Sequence, residues 1–307
     1  MMDTAGPLIV SALGAGTPLI FAALGELVTE KSGVLNLGVE GMMLVGAITA
    51  FIAASASGSL WLGVAAGCLA GAATASLFAF ATLTLQANQV AAGLALAIFG
   101  AGASAFIGKN HIGAALKLET QGGAAVSSGI PLLGPLLQAI HPLIVLSWLM
   151  VAAVSWFLYR SRPGLVLRAV GESPASAHAI GYRVIRIRYL ATLFGGAMAG
   201  VAGAYLSLVY APLWLEGMTA GRGRIALALV VFATWRPGRV LFGAYLFGGL
   251  TIAQFFAQGA GIGFASQAMS MLPYLATIIV LVLISRSRTM VRLNAPVSLG
   301  KAFHAGT

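Results

Sequence analysis

Residues 60–84 read LWLGVAAGCLAGAATASLFAFATLT, a run of 25 residues without one charged side chain. An α-helix needs about 20 apolar residues to cross a bilayer core of about 30 Å. The rest of the chain has the same character, because 59% of its 307 residues are apolar and only 8% are charged. A soluble domain has about a quarter charged residues. The composition therefore excludes a soluble enzyme, a disordered chain and a disulfide scaffold, and it predicts an integral membrane protein.

Apolar runs on both sides of this stretch predict an all-α, polytopic transmembrane helix bundle of about nine spans, within a range of eight to ten. The spans occupy most of the chain and leave no room for a soluble catalytic domain. We expect a single transmembrane domain over residues 1–307, with a cytoplasmic loop at 160–188 and a cytoplasmic tail at 286–307. The predicted spans are 8–27, 38–56, 60–84, 88–107, 142–159, 189–210, 223–235, 240–257 and 268–285.

The basic residues predict the orientation of the bundle. Six of the 17 lie between residues 160 and 188, and short cytoplasmic loops carry an excess of Lys and Arg. Alternating nine spans outward from this loop places 13 of the 17 basic residues on the same side. The N-terminus is then outside and the C-terminus is cytoplasmic.

Glycines recur at helical spacing in two spans. Gly63, Gly67 and Gly71 share one face of the third span, and Gly196 and Gly200 repeat the spacing in the sixth. Small residues at this spacing let membrane helices approach closely. We interpret these glycines as packing positions rather than as a site.

The stretch GELVTEKSGVLNLGVEGMM, residues 25–43, concentrates polar groups near the membrane. Glu30 and Lys31 are expected in a cytoplasmic turn, where Glu30 is either solvated or paired with Lys31. Glu40 is different, because apolar residues surround it and the run after it is short for a full span. A glycine-interrupted segment of this kind is typical of a broken helix that lines a cavity. With Asn36, Glu40 is therefore a candidate residue of a solute path.

Two further segments bear on such a path. Segment 223–235 is only about 20 Å long as a helix and follows the polar stretch EGMTAGRGR. Short segments at matching places in two halves are pointers to a transport path. Between the third and fourth spans, Gln86, Asn88 and Gln89 either cap a tight turn or bind a polar solute, and their chemistry alone favours the turn.

The basic loop contains helix signals of its own. Ser173 followed by Pro174 is an N-cap with proline at the first helical position, and Gly181 is a helix stop. They predict a short cytoplasmic helix over 174–180. The plainer alternative is a surface linker held by anionic lipid.

Four stretches together resemble the inner-membrane permease subunits of bacterial ABC importers. The branch is that of branched-chain amino acid, simple sugar and nucleoside permeases, and in particular the shorter permease of nucleoside importers. The stretches are PLIFAALGELVTEKSGVLNLGVEGMMLVGA (18–47), ANQVAAGLALAI (87–98), GLVLRAVGESPASAHAIGYRVIRIRYLATLFGGAMAGVAGAYLSL (164–208) and WLEGMTAGRGRIALALVVFATWRPGRVLFGAYLFG (214–248).

The resemblance implies that the short helix is a coupling helix, which docks on an ATPase subunit. Ser173 stands where the family often has Asn, and both residues cap helices. Arg224 departs from the apolar or aromatic residue that is usual there. The implied ATPase-contacting residues are Glu172, Ser173, Pro174, Ala175, His178, Ile180 and Gly181.

The resemblance also implies the partners. The chain would be no enzyme and would hold no cofactor, since ATP binds to the ABC ATPase subunit. A second permease subunit would complete the pore, as a heterodimer or alternatively a homodimer, and an extracytoplasmic solute-binding protein would deliver the solute. Membrane lipid would surround the bundle in the bacterial cytoplasmic (inner) membrane, and no nucleic acid is expected to bind.

The implied function is passage of a small polar solute, a nucleoside or a simple sugar. The candidate path residues are Asn36, Glu40, Asn88 and Gln89. The alternative is an ion-coupled secondary transporter. It requires an ionisable relay in the membrane, for which the sequence offers chiefly Glu40.

Overall fold

The computed structural model describes residues 2–116, 141–259 and 294–304, with four single positions between the last two ranges. The described chain is helical, and its β-structure is limited to two isolated bridges near residues 112–115 and 213–214. The helices are α1 (Met2–Lys31), α2 (Val39–Ser57), α3 (Leu60–Ala79), α4 (Gln89–Gly108), α5 (Pro142–Arg160), α6 (Arg162–Glu172), α7 (Pro174–Ala179), α8 (Val184–Tyr205), α9 (Arg222–Phe232) and α10 (Pro237–Gly259). One π-helical turn follows α3 (Phe80–Thr84), and another follows α8 (Leu206–Tyr210).

Seven of the described helical segments are long and apolar enough to cross a membrane. They are Leu8–Lys31, Val39–Ser57, Leu60–Thr84, Gln89–His111, Pro142–Arg160, Val184–Tyr210 and Pro237–Phe256. The all-helical class is therefore confirmed, whereas the count of about nine is not. The predicted span 223–235 corresponds to α9, whose 11 residues rise only about 16 Å. Almost all of the predicted span 268–285 lies outside the described residues.

The predicted loop 160–188 is mostly helical. It comprises α6, α7 and the first turns of α8, which begins at Val184 rather than at residue 189. Ser161 caps α6 by accepting a 3.1 Å hydrogen bond from the backbone N–H of Gly164. Leu167 and Val170 of α6 are buried, so the helix lies against the bundle.

Helices α1, α2 and α8 form the interior of the bundle. Residues 19–24 of α1 are all buried, and a helix that is buried all round is a central one. Helix α8 packs against α1, α2 and α3, whereas α4 contacts chiefly α2. The core therefore sits where α1, α2 and α8 meet, and α4 lies at the periphery.

The glycines pack helices together, as predicted. A Cβ at Gly71 would stand 2.7 Å from the Cα of Gly200, and one at Gly67 would stand 2.9 Å from the carbonyl oxygen of Gly46. Helices α2, α3 and α8 thus meet backbone to backbone. Side chains larger than hydrogen at these positions would push the three helices apart.

Candidate functional site

A non-helical linker, residues 32–38, joins α1 to α2. Gly33 ends α1 with a φ of +91°, a left-handed conformation that favours glycine, and its N–H donates to the carbonyl of Glu30 at 2.8 Å. The linker is bonded by side chains from three helices, namely Glu26 of α1, Gln89 of α4 and Arg188 of α8.

Asn36 is fully buried in the middle of the linker. Its backbone N–H donates to Glu26 Oε1 at 3.1 Å, and its side-chain Oδ1 accepts from the N–H of Gly38 at 2.9 Å. The other carboxylate oxygen of Glu26, Oε2, has no hydrogen-bond partner among the described residues. Asn36 therefore shapes the linker, and Glu26 anchors it to α1.

Gln89 and Asn88 take different roles at the start of α4. Asn88 caps the helix by accepting a 3.1 Å hydrogen bond from the N–H of Ala91, as its turn chemistry favours. Gln89 is buried, and its Oε1 accepts from the N–H of Leu35 in the linker at 2.8 Å. Its Nε2 is buried without a hydrogen-bond partner in the described part of the chain.

Glu40, in the first turn of α2, binds the beginning of α9. Its Oε1 accepts from Thr219 Oγ1 at 2.5 Å and from the N–H of Gly221 at 2.9 Å, while Oε2 accepts from the N–H of Gly223 at 2.7 Å. A carboxylate is favourable there, because the first backbone N–H groups of a helix lack partners within it and carry partial positive charge.

The position of Glu40 along the bundle follows from its neighbour Gly41, which packs against Gly100 of α4. Gly100 is the twelfth of the 20 residues of α4. Glu40 and the start of α9 thus meet beside the middle of α4.

The other end of α9 lies beside the end of α1. Trp235 Nε1 donates to Glu30 Oε2 at 2.5 Å, and both residues are buried. The Lys31 ammonium lies near two like charges, Arg168 and Arg236, and near the opposite charge of Glu172. The expectation of a turn at Glu30 and Lys31, and of a solvated Glu30, is therefore wrong, because α1 continues through both residues inside the fold. The alternative of a favourable Glu30–Lys31 interaction is consistent with the structure. We call the region around Lys31, Arg168 and Arg236 the basic end.

The chain passes through the bundle twice with part of the pass not helical, and these two interrupted crossings meet at Glu40. In the first crossing, the linker precedes α2. In the second, non-helical residues 211–221 precede the half-length helix α9. Of the four candidate path residues, Asn36, Glu40 and Gln89 lie in, beside or against the linker, whereas Asn88 is exposed at the start of α4. A separate apolar groove of about 640 Å³ lies between α5, α6 and α8 and is lined by none of the four.

The short helix in the basic region is present as α7, Pro174–Ala179, which ends one residue before the prediction. Ser173 Oγ accepts from the N–H of Ser176 at 3.3 Å, and Gly181 has a φ of +94°. Ala177 faces inward and is buried. Of the residues proposed to contact an ATPase, Glu172, Ala175, His178, Ile180 and Gly181 are exposed, and Ser173 and Pro174 are partly exposed.

Sequence reasoning missed three contributors, Arg188, Thr219 and Trp235. Arg188 was counted with the cytoplasmic loop, yet it is buried in α8. A signal was available, because Ala191 and Gly195 follow Arg188 at helical spacing and also point inward. No local pattern marks Thr219 or Trp235, whose partners lie 179 and 205 residues away.

A bundle of apolar helices in which two interrupted crossings meet at a buried carboxylate has the architecture of a solute permease. A model of the permease component of branched-chain amino acid transport systems matches residues 8–284. The chain belongs to this permease family and is a multi-pass membrane transport subunit, not an enzyme.

Three relatives extend over nearly the whole chain. A putative glucose ABC transporter permease protein of Haloferax volcanii is 40% identical, over 99% of this chain and 99% of the relative. A nucleoside ABC transporter permease protein of Lactococcus lactis is 31% identical over 92% and 93% of the two chains. A guanosine ABC transporter permease protein of Bacillus subtilis is 30% identical over 89% and 90%. No solved structure matches the chain.

Proposed function

We propose that the chain is the transmembrane permease subunit of an ATP-driven ABC importer and forms the path for a nucleoside or a simple sugar. The observation that carries the proposal is the meeting of the two interrupted crossings at Glu40. A segment that is not helical at membrane depth is tolerated where it is buried in protein or lines a water-filled cavity. Asn36, Glu40, Asn88 and Gln89 are the polar residues proposed for this path.

The solute class follows from the fixed charges and from the relatives. Nucleosides and sugars share neutral, hydroxyl-rich rings, and a path with few fixed charges suits them better than ionic amino acids. One relative is named for glucose and two for nucleosides or guanosine. The solutes in these names share a hydroxyl-rich sugar ring, and the nucleosides differ from glucose because they carry a nucleobase.

The family implies an ATPase and a solute-binding protein as partners. We propose that α7 is the coupling helix, since it is capped, short and exposed beside the basic end. A second, different permease subunit would complete the pore, and ATP would bind only to the ATPase. The basic end would lie on the cytoplasmic side of the bacterial cytoplasmic membrane, with the N-terminus outside and the C-terminus inside.

An ion-coupled secondary transporter is not favoured. Both oxygens of Glu40 accept backbone or hydroxyl hydrogen bonds, so Glu40 acts as a helix cap instead of a free ion relay. Among the described residues, Glu26 Oε2 has no hydrogen-bond partner, so Glu26 is an acid that such a relay would use. Glu26→Gln preserves an acceptor for Asn36 but removes the proton-carrying group. We expect this variant to keep ATP-driven uptake.

The direct test is reconstitution in liposomes with the ATPase, second permease and binding protein encoded beside this chain. We expect ATP hydrolysis that increases with the bound solute, and uptake of radiolabelled guanosine or glucose that requires ATP. Competition between the two solutes identifies the preferred one. Uptake without any ATPase subunit, driven by an ion gradient and lost in Glu26→Gln, would overturn the proposal.

A further inference from the structure

Arg188 is a buried cation whose hydrogen-bond partners come from two distant parts of the chain. Its side chain is 1% exposed. Nε donates to the carbonyl of Ser32 at 3.2 Å, Nη1 to the carbonyl of Lys301 at 3.1 Å, and Nη2 to Ser298 Oγ at 3.1 Å. A buried charge is tolerated only when it is well hydrogen-bonded, so these three oxygens hold the guanidinium, and the guanidinium holds them together.

Residues 294–304 form a strap across the basic end. Ser298 donates through its N–H and its Oγ to the carbonyl of Gly171 at the end of α6, at 3.0 and 2.6 Å. The N–H of Gly300 donates to the carbonyl of Gly33 in the linker at 3.2 Å. Lys31 Nζ donates to the carbonyl of Asn294 at 2.6 Å. The strap therefore joins α6, the linker and the end of α1.

The strap also reaches α7. The ring of Phe303 lies 5.6 Å from the ring of His178, edge to face. Phe303 packs against a small apolar cluster of Val170, Ala177 and Val184. This cluster contains the inward side of α7, so a displacement of α7 would act directly on the strap.

On its other side, the strap meets the linker with no free space. A Cβ at Gly33 would stand 2.8 Å from Arg188 Nη2 and would overlap Ser298 Oγ. The linker continues to Asn36 and then to Glu40, which binds the start of α9. Direct contacts therefore connect α7, the strap, Arg188, the linker and the meeting point of the two interrupted crossings.

We propose that Arg188 is a positioning residue for transport, which together with the strap transmits movement of α7 to the linker and Glu40. The proposal rests on the proposed function, which supplies the ATPase at α7 and the solute near Glu40. A change at one site reaches another only through interactions that differ between the two states. A buried guanidinium bonded to the strap and to the linker couples those two elements, because moving one alone would leave donors unpaired.

The test measures ATP hydrolysis and solute uptake in the same proteoliposomes, which contain the complete importer. The variants are Arg188→Gln, Ser298→Ala and Phe303→Ala. We expect each complex to retain its ATPase subunit and its hydrolysis rate, and uptake per ATP hydrolysed to fall roughly fivefold or more. The matched control is Lys301→Ala, because Lys301 gives Arg188 its backbone carbonyl while its side chain is exposed. The control should match the wild type.

Two results would overturn the proposal. One is an unchanged ratio of uptake to hydrolysis in Arg188→Gln and Ser298→Ala. The other is an equal fall of hydrolysis and uptake in all three variants, which would mean that the strap only supports assembly. If Arg188→Gln does not assemble, Ser298→Ala and Phe303→Ala decide, since both keep the buried arginine. Failure of the proposed function shows in the wild type instead, as absence of ATP-dependent uptake.

Discussion

Glu40 Oε2 accepts a 2.7 Å hydrogen bond from the backbone N–H of Gly223, although the two residues are 183 positions apart. The carboxylate replaces the partners that the first turn of α9 lacks within its own helix. Gly223 has no room for a side chain, because a Cβ there would stand 2.6 Å from the Cα of Glu40. The start of α9 is therefore fixed to α2 by charge and by close approach.

Glu40→Gln should weaken this junction. The Nε2 group of glutamine would face a backbone N–H and could not accept from it, and the negative charge at the helix N-terminus is lost. We expect a loss of about 1–3 kcal/mol, with reduced uptake and a retained complex. Thermal unfolding in nanodiscs and uptake in liposomes measure the two effects. Glu216→Gln, an exposed acid of the same segment, is the control, and wild-type behaviour of both variants would contradict the prediction.

Trp235→Phe should destabilise the basic end. The change removes the indole donor and leaves the buried Glu30 carboxylate without that partner, at an expected cost of about 1–3 kcal/mol. The thermal midpoint of the purified chain measures it. Trp156→Phe is the matched control, because Trp156 is 64% exposed and should tolerate the change. Equal midpoints for the two variants would show that the Glu30 contact contributes nothing.

Gly71→Ala should separate α3 from α8. The added methyl would stand 2.7 Å from the Cα of Gly200, and backbone atoms cannot rotate away as a side chain would. Overpacking of this kind costs about 1–3 kcal/mol, which should appear as a lower thermal midpoint and a lower yield of folded protein. Gly102→Ala is the control, since nothing lies within 4 Å of a Cβ there. A midpoint for Gly71→Ala equal to that of the control would contradict the packing described.

Ala175→Arg should prevent the ATPase from binding while the permease stays folded. Ala175 is exposed on α7, so the long charged side chain meets solvent in the free chain and would collide with a docked partner. We expect loss of the ATPase on co-purification and an unchanged thermal midpoint. Ala179→Arg on the same helix should behave alike. Ser57→Arg, at the exposed end of α2, is the control. If the ATPase still co-purifies fully with both α7 variants, α7 does not form the contact with the ATPase.

Local signals predicted the elements that local physics determines. The uncharged run 60–84 crosses the bundle as α3 and its π-helical turn with those bounds. Ser173, Pro174 and Gly181 predicted α7 because a cap, a first-turn proline and a left-handed stop act within a few residues. Glu40 drew attention because an acid among apolar residues needs partners, and the structure supplies them.

Hydrogen bonds between residues far apart in the chain could not be predicted from the sequence. Nothing near Glu40 indicates that its acceptors meet Thr219 and two glycine N–H groups about 180 residues later. Helix α6 was not predicted for another reason. Its basic residues indicated a cytoplasmic loop, although Leu167 and Val170 mark the inward face of a helix. Arg188 was misplaced in the same way, by charge instead of by helical position.

The contacts of Arg188 also constrain the order of biogenesis. The partners of Nη2 and Nη1 are synthesised 110 and 113 residues after the arginine itself. Until residues 298–301 have been synthesised, Nη1 and Nη2 lack the partners that they have in the folded chain. We therefore expect the basic end to be the last part of the described bundle to close.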